Sequence, residues 1–179
     1  MKQLDSTGLK RLHRDWRRRE AGRLALVLDS VQGPFNVGSI VRTAAAYRAE
    51  TVWLAGSTAP LASPSVQKTA MGTDRYLAVT VVPTGAEAVA AARAAGYRVV
   101  AVELAEGARP LHAVELAGDV CLVVGHESHG VSAAALAVAD EVAYLPQLGR
   151  VGSLNVATAA ALAVYEVRRQ AWIKGGPDG

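Results

Sequence analysis

Six short, nearly continuous apolar runs, separated by segments of helical character, constrain this chain more than any other feature. The runs are Leu24–Asp29, Thr51–Leu54, Tyr76–Val82, Tyr97–Val102, Val120–Val124 and Val142–Leu145. A strand that is apolar on both faces needs cover on both faces, and strands alternating with helices build a parallel sheet with helices on either side. The intervening segments fit that reading. A helix is expected from Val37 to about Tyr47, with Asn36 as its N-cap. A short helix is expected over Ser65–Ala70, an alanine-rich one over Gly85–Ala95 ended by Gly96, and another over Ser132–Ala139. Residues 103–115 read mostly as loop. The expected fold class is therefore α/β, a parallel sheet flanked by helices.

Length and composition suit one such domain. The chain has 179 residues and is 51% hydrophobic, enough for a proper core and too apolar for disorder. Its one cysteine, Cys121, excludes an internal disulfide framework and fits a reducing compartment. No secretory signal and no apolar run of membrane-spanning length is found, so a cytoplasmic protein is expected.

Charge is unevenly placed. Residues 1–23 carry Lys2, Lys10, Arg11, Arg14, Arg17, Arg18, Arg19 and Arg23 against Asp5, Asp15 and Glu20, a surplus of five, whereas the whole chain carries +3. The basic character belongs to an N-terminal appendage. Residues 7–22 read as a helix with Leu9, Leu12 and Trp16 on one stripe and arginines opposite. Such a segment favours a polyanion, or is a solvated helix that aids solubility.

Three constellations carry chemistry. Arg42 lies on a helix of small and apolar neighbours, so it either pairs with a carboxylate such as Asp29 or points at a ligand. Residues Gly125-His-Glu-Ser-His-Gly130 follow the most apolar strand. This loop is not a dinucleotide fingerprint, because Glu127 stands where a glycine is needed. It is not a zincin, because His126 and His129 are three apart, and not a nucleophile elbow, because Ser128 is one place off. A ligand loop at a strand end remains. Ser153 and Asn155 come where the last helix, Ala157–Arg169, begins; they cap it or hold a ligand there. That helix is apolar around much of its circumference, and is expected to pack on the sheet and on another subunit.

In this order, Asn36-x-Gly-x-x-x-Arg42-Thr-Ala, Gly125-x-Glu127-x-x-Gly130, and Pro146 and Gly149 followed by Ser153-Leu-Asn-Val resemble the TrmH (SpoU) family of the SPOUT superfamily of RNA ribose 2′-O-methyltransferases. The resemblance covers about Leu24 to Gln170. It implies a C-terminal deep trefoil knot, a homodimer with its pocket at the subunit interface, and S-adenosyl-L-methionine as cofactor, with no metal. It implies adenosine contacts near Val102, Gly125, Leu145 and Leu154. Catalytic roles pass by the same resemblance to Arg42, Asn36, Glu127, Ser153 and Asn155. Arg42 would stabilise the attacking 2′-oxygen and grip a phosphate, or act as a base activated by RNA phosphate. The sequence departs from the family at Gln147 and Ala157, two positions that the resemblance places in the pocket's lining.

Charge, the extent of the resemblance and the Gly-Gly-Pro-Asp-Gly end together order the chain as a basic extension over 1–23, a methyltransferase domain over 24–171, and a flexible tail over 172–179. Without a larger N-terminal RNA-binding domain, tRNA is expected over rRNA as substrate, in the pattern of enzymes that methylate a D-loop guanosine. Arg11, Arg14, Arg17 and Arg18 would dock it. A non-catalytic RNA-binding dimer of the same fold is the competing expectation.

Overall fold

The computed structural model describes residues 3–174. Seven strands form one sheet: β1 (Leu24–Asp29), β2 (Thr51–Ala55), β3 (Ala78–Val82), β4 (Arg98–Val102), β5 (Arg109–Pro110), β6 (Val120–Gly125) and β7 (Glu141–Tyr144). Their order is β3-β2-β1-β6-β4-β7-β5, and every pairing is parallel. The six helices are α1 (Ser6–Arg17), α2 (Pro34–Ala46), α3 (Pro64–Ala70), α4 (Gly85–Ala94), α5 (Ala133–Val138) and α6 (Val156–Lys174). The parallel sheet with helices on both sides agrees with the sequence reading.

Alternation along β1 sorts the core. Leu24, Leu26 and Leu28 join a cluster with Val37, Ile40 and Val41 of α2 and Ala160, Val164 and Val167 of α6. Ala25 and Val27 point the other way, into a cluster with Ala88, Val89 and Ala92 of α4 and Ala135 of α5. The three leucines are fully buried, each worth roughly 1.5–3 kcal/mol over exposure.

Topology then fixes where a ligand can bind. The chain lays down β1, β2 and β3 outward and returns to start the other half at β4; β6 inserts between β1 and β4. The carboxyl ends of β4, β6 and β7 lie together, and open α/β sheets bind ligands beyond such ends.

Several boundaries differ from expectation for local reasons. α2 starts at Pro34, not Val37, because proline at the first helical position is pre-set in φ and lacks only an N–H the helix would not use. Gly33 is the N-cap, and Asn36 sits within the first turn, which frees its amide for other partners. Tyr76 belongs to a 3-10 turn, Thr73–Tyr76, entered through Met71 and Gly72 in left-handed conformations; the strand begins only at Ala78. Residues 103–115 are mostly loop, as expected, with two short elements inside: β5, which pairs with β7, and a 3-10 turn at Leu111–Ala113. α1 ends at Arg17, so residues 18–22 are not helical. Trp172–Lys174 belong to α6, which corrects the expected tail; residues 175–179 of that tail lie outside the described residues.

Candidate active site

A cleft of about 590 Å³ opens at the carboxyl ends of β4, β6 and β7. Its walls include Val102, Gly125, Leu145 and Leu154, the four residues expected at an adenosine, together with Glu127, Ser153 and Asn155. Among the described residues no group of three or more His, Cys, Asp or Glu is placed to hold a metal ion. No helix there is long and apolar enough to cross a membrane.

The loop after β6 is held by backbone. His126 N–H donates to Gly130 O at 2.9 Å, and Gly130 N–H donates to His126 O at 2.8 Å. A Cβ on Gly125 would lie 2.1 Å from the Gly130 carbonyl carbon, so any side chain there would force the loop open. The chain turns at Gly130 with φ of 69°, a region that favours glycine.

The closed loop presents Glu127 to the start of α2. Its Oε1 accepts from Gly33 N–H at 2.8 Å and from the Asn36 amide at 2.8 Å, and its Oε2 accepts from Gln32 N–H at 3.2 Å. Gly33 permits this approach, since a Cβ there would meet Glu127 Oε1 at 2.6 Å. Asn36 Oδ1 in turn accepts from Asn155 Nδ2 at 3.0 Å. Asn155 Oδ1 accepts from Ala157 N–H at 2.9 Å and Thr158 N–H at 3.2 Å, capping α6. Asn155 is therefore both cap and site residue. The amide orientations are mutually fixed: each carbonyl accepts and each NH2 donates along one chain from the α6 N-terminus to Glu127. Ser153 is exposed at the mouth of the same cleft.

Arg42 is not in this cleft. It lies six residues beyond Asn36 on α2, about 120° around the helix from it. The alternative ion pair with Asp29 is also excluded, because Asp29 Oδ2 accepts from Ser132 N–H at 2.9 Å and Arg42 contacts the sulfur of Met71. The exposed guanidinium faces a second cavity, of about 1000 Å³, lined by Lys10, Trp16 and Arg17 of α1, and by Arg48, Tyr76 and Trp172. α1 rests on the body through Trp16 against Trp172, with ring centroids 4.9 Å apart. Arg11, Arg14, Arg17 and Arg18 are exposed, and none forms an ion pair among the described residues. Sequence reasoning missed Gly33, whose signal was its position next to Pro34, and Glu103, which had no signal beyond following a strand.

Residues 23–165 match the family model described as the SpoU rRNA Methylase family. The chain belongs to that family. A SpoU relative, the tRNA (guanosine(18)-2′-O)-methyltransferase of Escherichia coli (strain K12), is 32% identical over 150 residues, which are 82% of this chain and 63% of that protein. The enzyme of the same name from Thermus thermophilus is 33% identical over 161 residues, 90% of this chain and 81% of that one. The crystal structure of an AdoMet-bound rRNA methyltransferase from Sinorhizobium meliloti superposes with a TM-score of 0.77 at 32% identity, covering 84% of this chain and 57% of that chain. The chain thus spans less than two thirds of the length of two of these three.

In this SpoU chain Glu127 also carries a pH dependence. Partial burial opposes its ionisation, but the hydrogen bonds from the Asn36 amide and from backbone N–H groups outweigh it and hold the carboxyl below the usual range. A depressed native pKa stabilises the fold above the unfolded value, about 4.3, and that stabilisation is lost as pH falls through the native value. The stability difference between wild type and Glu127→Gln is therefore expected to be constant near neutrality and to shrink as pH falls below about 4.3. Denaturant midpoints measured for both across pH 3–7 would check it, and a difference that grows toward acid would contradict it.

Proposed function

We propose that the protein is an S-adenosyl-L-methionine-dependent methyltransferase acting on a ribose 2′-hydroxyl of RNA, with tRNA favoured over rRNA. The single observation that carries this reading is the hydrogen-bond chain Glu127–Asn36–Asn155. It joins three segments distant in sequence at the rim of one cleft. Membership of the SpoU family supports the reaction class, and the relatives named for guanosine 18 of tRNA support the substrate.

The cleft fits the cofactor. Its volume lies within the range of about 300–1,000 Å³ usual for small-molecule sites, and Val102, Leu145 and Leu154 give a purine apolar walls beside the bare backbone of Gly125. When bound, S-adenosylmethionine supplies a methyl group already activated on a sulfonium. This chain's residues then have to hold the ribose in line and stabilise charge on its oxygen. Ser153, at the mouth with its hydroxyl exposed, positions the nucleotide. Asn36, Asn155 and Glu127 fix the rim against which it sits. Arg42 stabilises the developing alkoxide and grips the neighbouring phosphate; a guanidinium is too basic to serve readily as the proton acceptor.

Because Arg42 and the cleft lie apart in one chain, the complete site requires a second copy that brings its own arginine to the rim. Phe35 of α2 (60% exposed), and Leu162 and Tyr165 of α6 (46% each), offer that copy an apolar face. The helix expected to be buried on more than one side is buried on one stripe here, and the pairing supplies the rest. The trefoil knot belongs to this proposal as well, with the segment from Pro146 through α6 as its threaded part, as does a cytoplasmic setting.

The test is a transfer assay with methyl-labelled cofactor and a tRNA pool, followed by digestion to nucleosides. Label on the ribose is expected, and label on a base would overturn the reading. Run across salt concentrations, RNA binding should lose about three units of its logarithmic salt slope when Arg11, Arg14, Arg17 and Arg18 are together changed to glutamine. Substitution is preferable to deletion of residues 1–22, because Glu20 and Gly22 bond Arg168. The non-catalytic alternative predicts no thermal shift with S-adenosylhomocysteine while RNA binding persists.

A further inference from the structure

Glu103 is the first residue after β4 and lines the cofactor cleft beside Val102. Its carboxylate is held rigidly. Oε2 accepts from Val131 N–H at 2.8 Å, and Oε1 accepts from Leu104 N–H at 2.9 Å. Gly130 packs so closely that a Cβ there would lie 2.1 Å from Oε2. Among the described residues no lysine, arginine or histidine comes within ion-pair distance of it. Each carboxylate oxygen has two acceptor sites, so one on each oxygen remains unused by these bonds. The site is thus a pair of fixed acceptors, side by side, on the cleft wall next to the residues that suit a purine.

Two adjacent hydroxyl donors match a pair of adjacent acceptors; one ammonium, a point charge, uses that arrangement less fully. We infer that Glu103 binds the 2′,3′-diol of the cofactor's adenosine and makes the cleft selective for a ribonucleoside. The inference rests on the reading of the cleft as the S-adenosylmethionine site. It assigns the residue a second duty besides ordering Leu104 and Val131: the backbone bonds pre-set the carboxylate, so a ligand need not order it.

Binding affinities separate the two duties. Calorimetric titration would compare S-adenosylhomocysteine with its analogue lacking both ribose hydroxyls, against wild type, Glu103→Gln and Glu103→Ala. Hydrogen bonds to a charged acceptor predict that wild type prefers the parent by on the order of 10- to 100-fold. In Glu103→Ala the two ligands should bind equally, and in Glu103→Gln the preference should be intermediate. A purely structural role would weaken both ligands together and leave their ratio unchanged. Equal affinity of the wild type for the two ligands, or a full preference kept by Glu103→Ala, overturns the role of Glu103 while leaving the cofactor site standing. Failure of the wild type to bind the parent compound overturns the cofactor reading and this inference with it.

Discussion

Replacing Arg42 with alanine is expected to lower methyl transfer by about 10²–10³-fold, the usual effect of removing one hydrogen-bond donor to an oxyanion. Affinity for S-adenosylhomocysteine should stay nearly unchanged. Arg42 is exposed, has no carboxylate partner among the described residues, and contacts only a thioether, a weak acceptor, so its hydrogens remain available to a ligand. It also lies outside the cleft, so its loss leaves the cleft's walls intact. Loss of cofactor affinity in calorimetry would give Arg42 a different role. The proposed dimer adds a sharper test. Arg42→Ala chains mixed with Asn155→Ala chains, after subunit exchange, should recover about a quarter of full activity, because half the dimers are mixed and each mixed dimer holds one complete site. An arginine acting on its own chain's cleft would recover nothing.

The fold was legible where burial dictates pattern. Strands β1 and β6 are buried at every position, so their sequences are apolar runs, broken only by Asp29 at the end of β1, and the alternating helices made the sheet parallel. Strand β3 was misjudged at its start because Tyr76 has strand propensity, yet two left-handed residues just before it turn the chain first. β5 is only two residues long and leaves no periodicity to read.

The site was legible as residue types and illegible as connections. Asn36 looked like a cap, since asparagine before an apolar helical stretch usually is one. Pro34 starts the helix earlier and releases the amide to join Glu127 with Asn155, which are 91 and 119 residues away in sequence. No local pattern encodes contacts of that span. The same holds for Arg42: its helix was read, but the cavity that the guanidinium faces depends on tertiary packing.

Arg168 shows most plainly what such distant contacts do, and replacing it with methionine is expected to cost about 3–5 kcal/mol of stability. The residue is 4% exposed on the buried stripe of α6, and nothing in the local pattern of residues distinguishes it from Arg169 next to it. Its guanidinium donates to Tyr47 O at 2.8 Å, Gly22 O at 3.0 Å, Arg48 O at 3.1 Å and Glu20 Oε1 at 3.0 Å. Burial pulls its pKa down from the usual arginine value, with the neighbouring Arg48 acting in the same direction. One side chain thus closes the last turn of α2, fixes the segment entering β1 and anchors α6. Methionine keeps most of the volume but leaves three carbonyls without their donor and Glu20 with Arg48 alone. The melting temperature should fall by about 10 °C, at roughly 2–4 °C per kcal/mol for a chain of this length. Arg169→Met, which removes only a bridge to Glu166 on the same helix, should change it by far less. Equal shifts for the two variants would mean that the buried network carries no more stability than a surface pair. If the shifts differ as expected, residues 20–22 are part of the folded domain, and only the preceding α1 is free to serve as an arm.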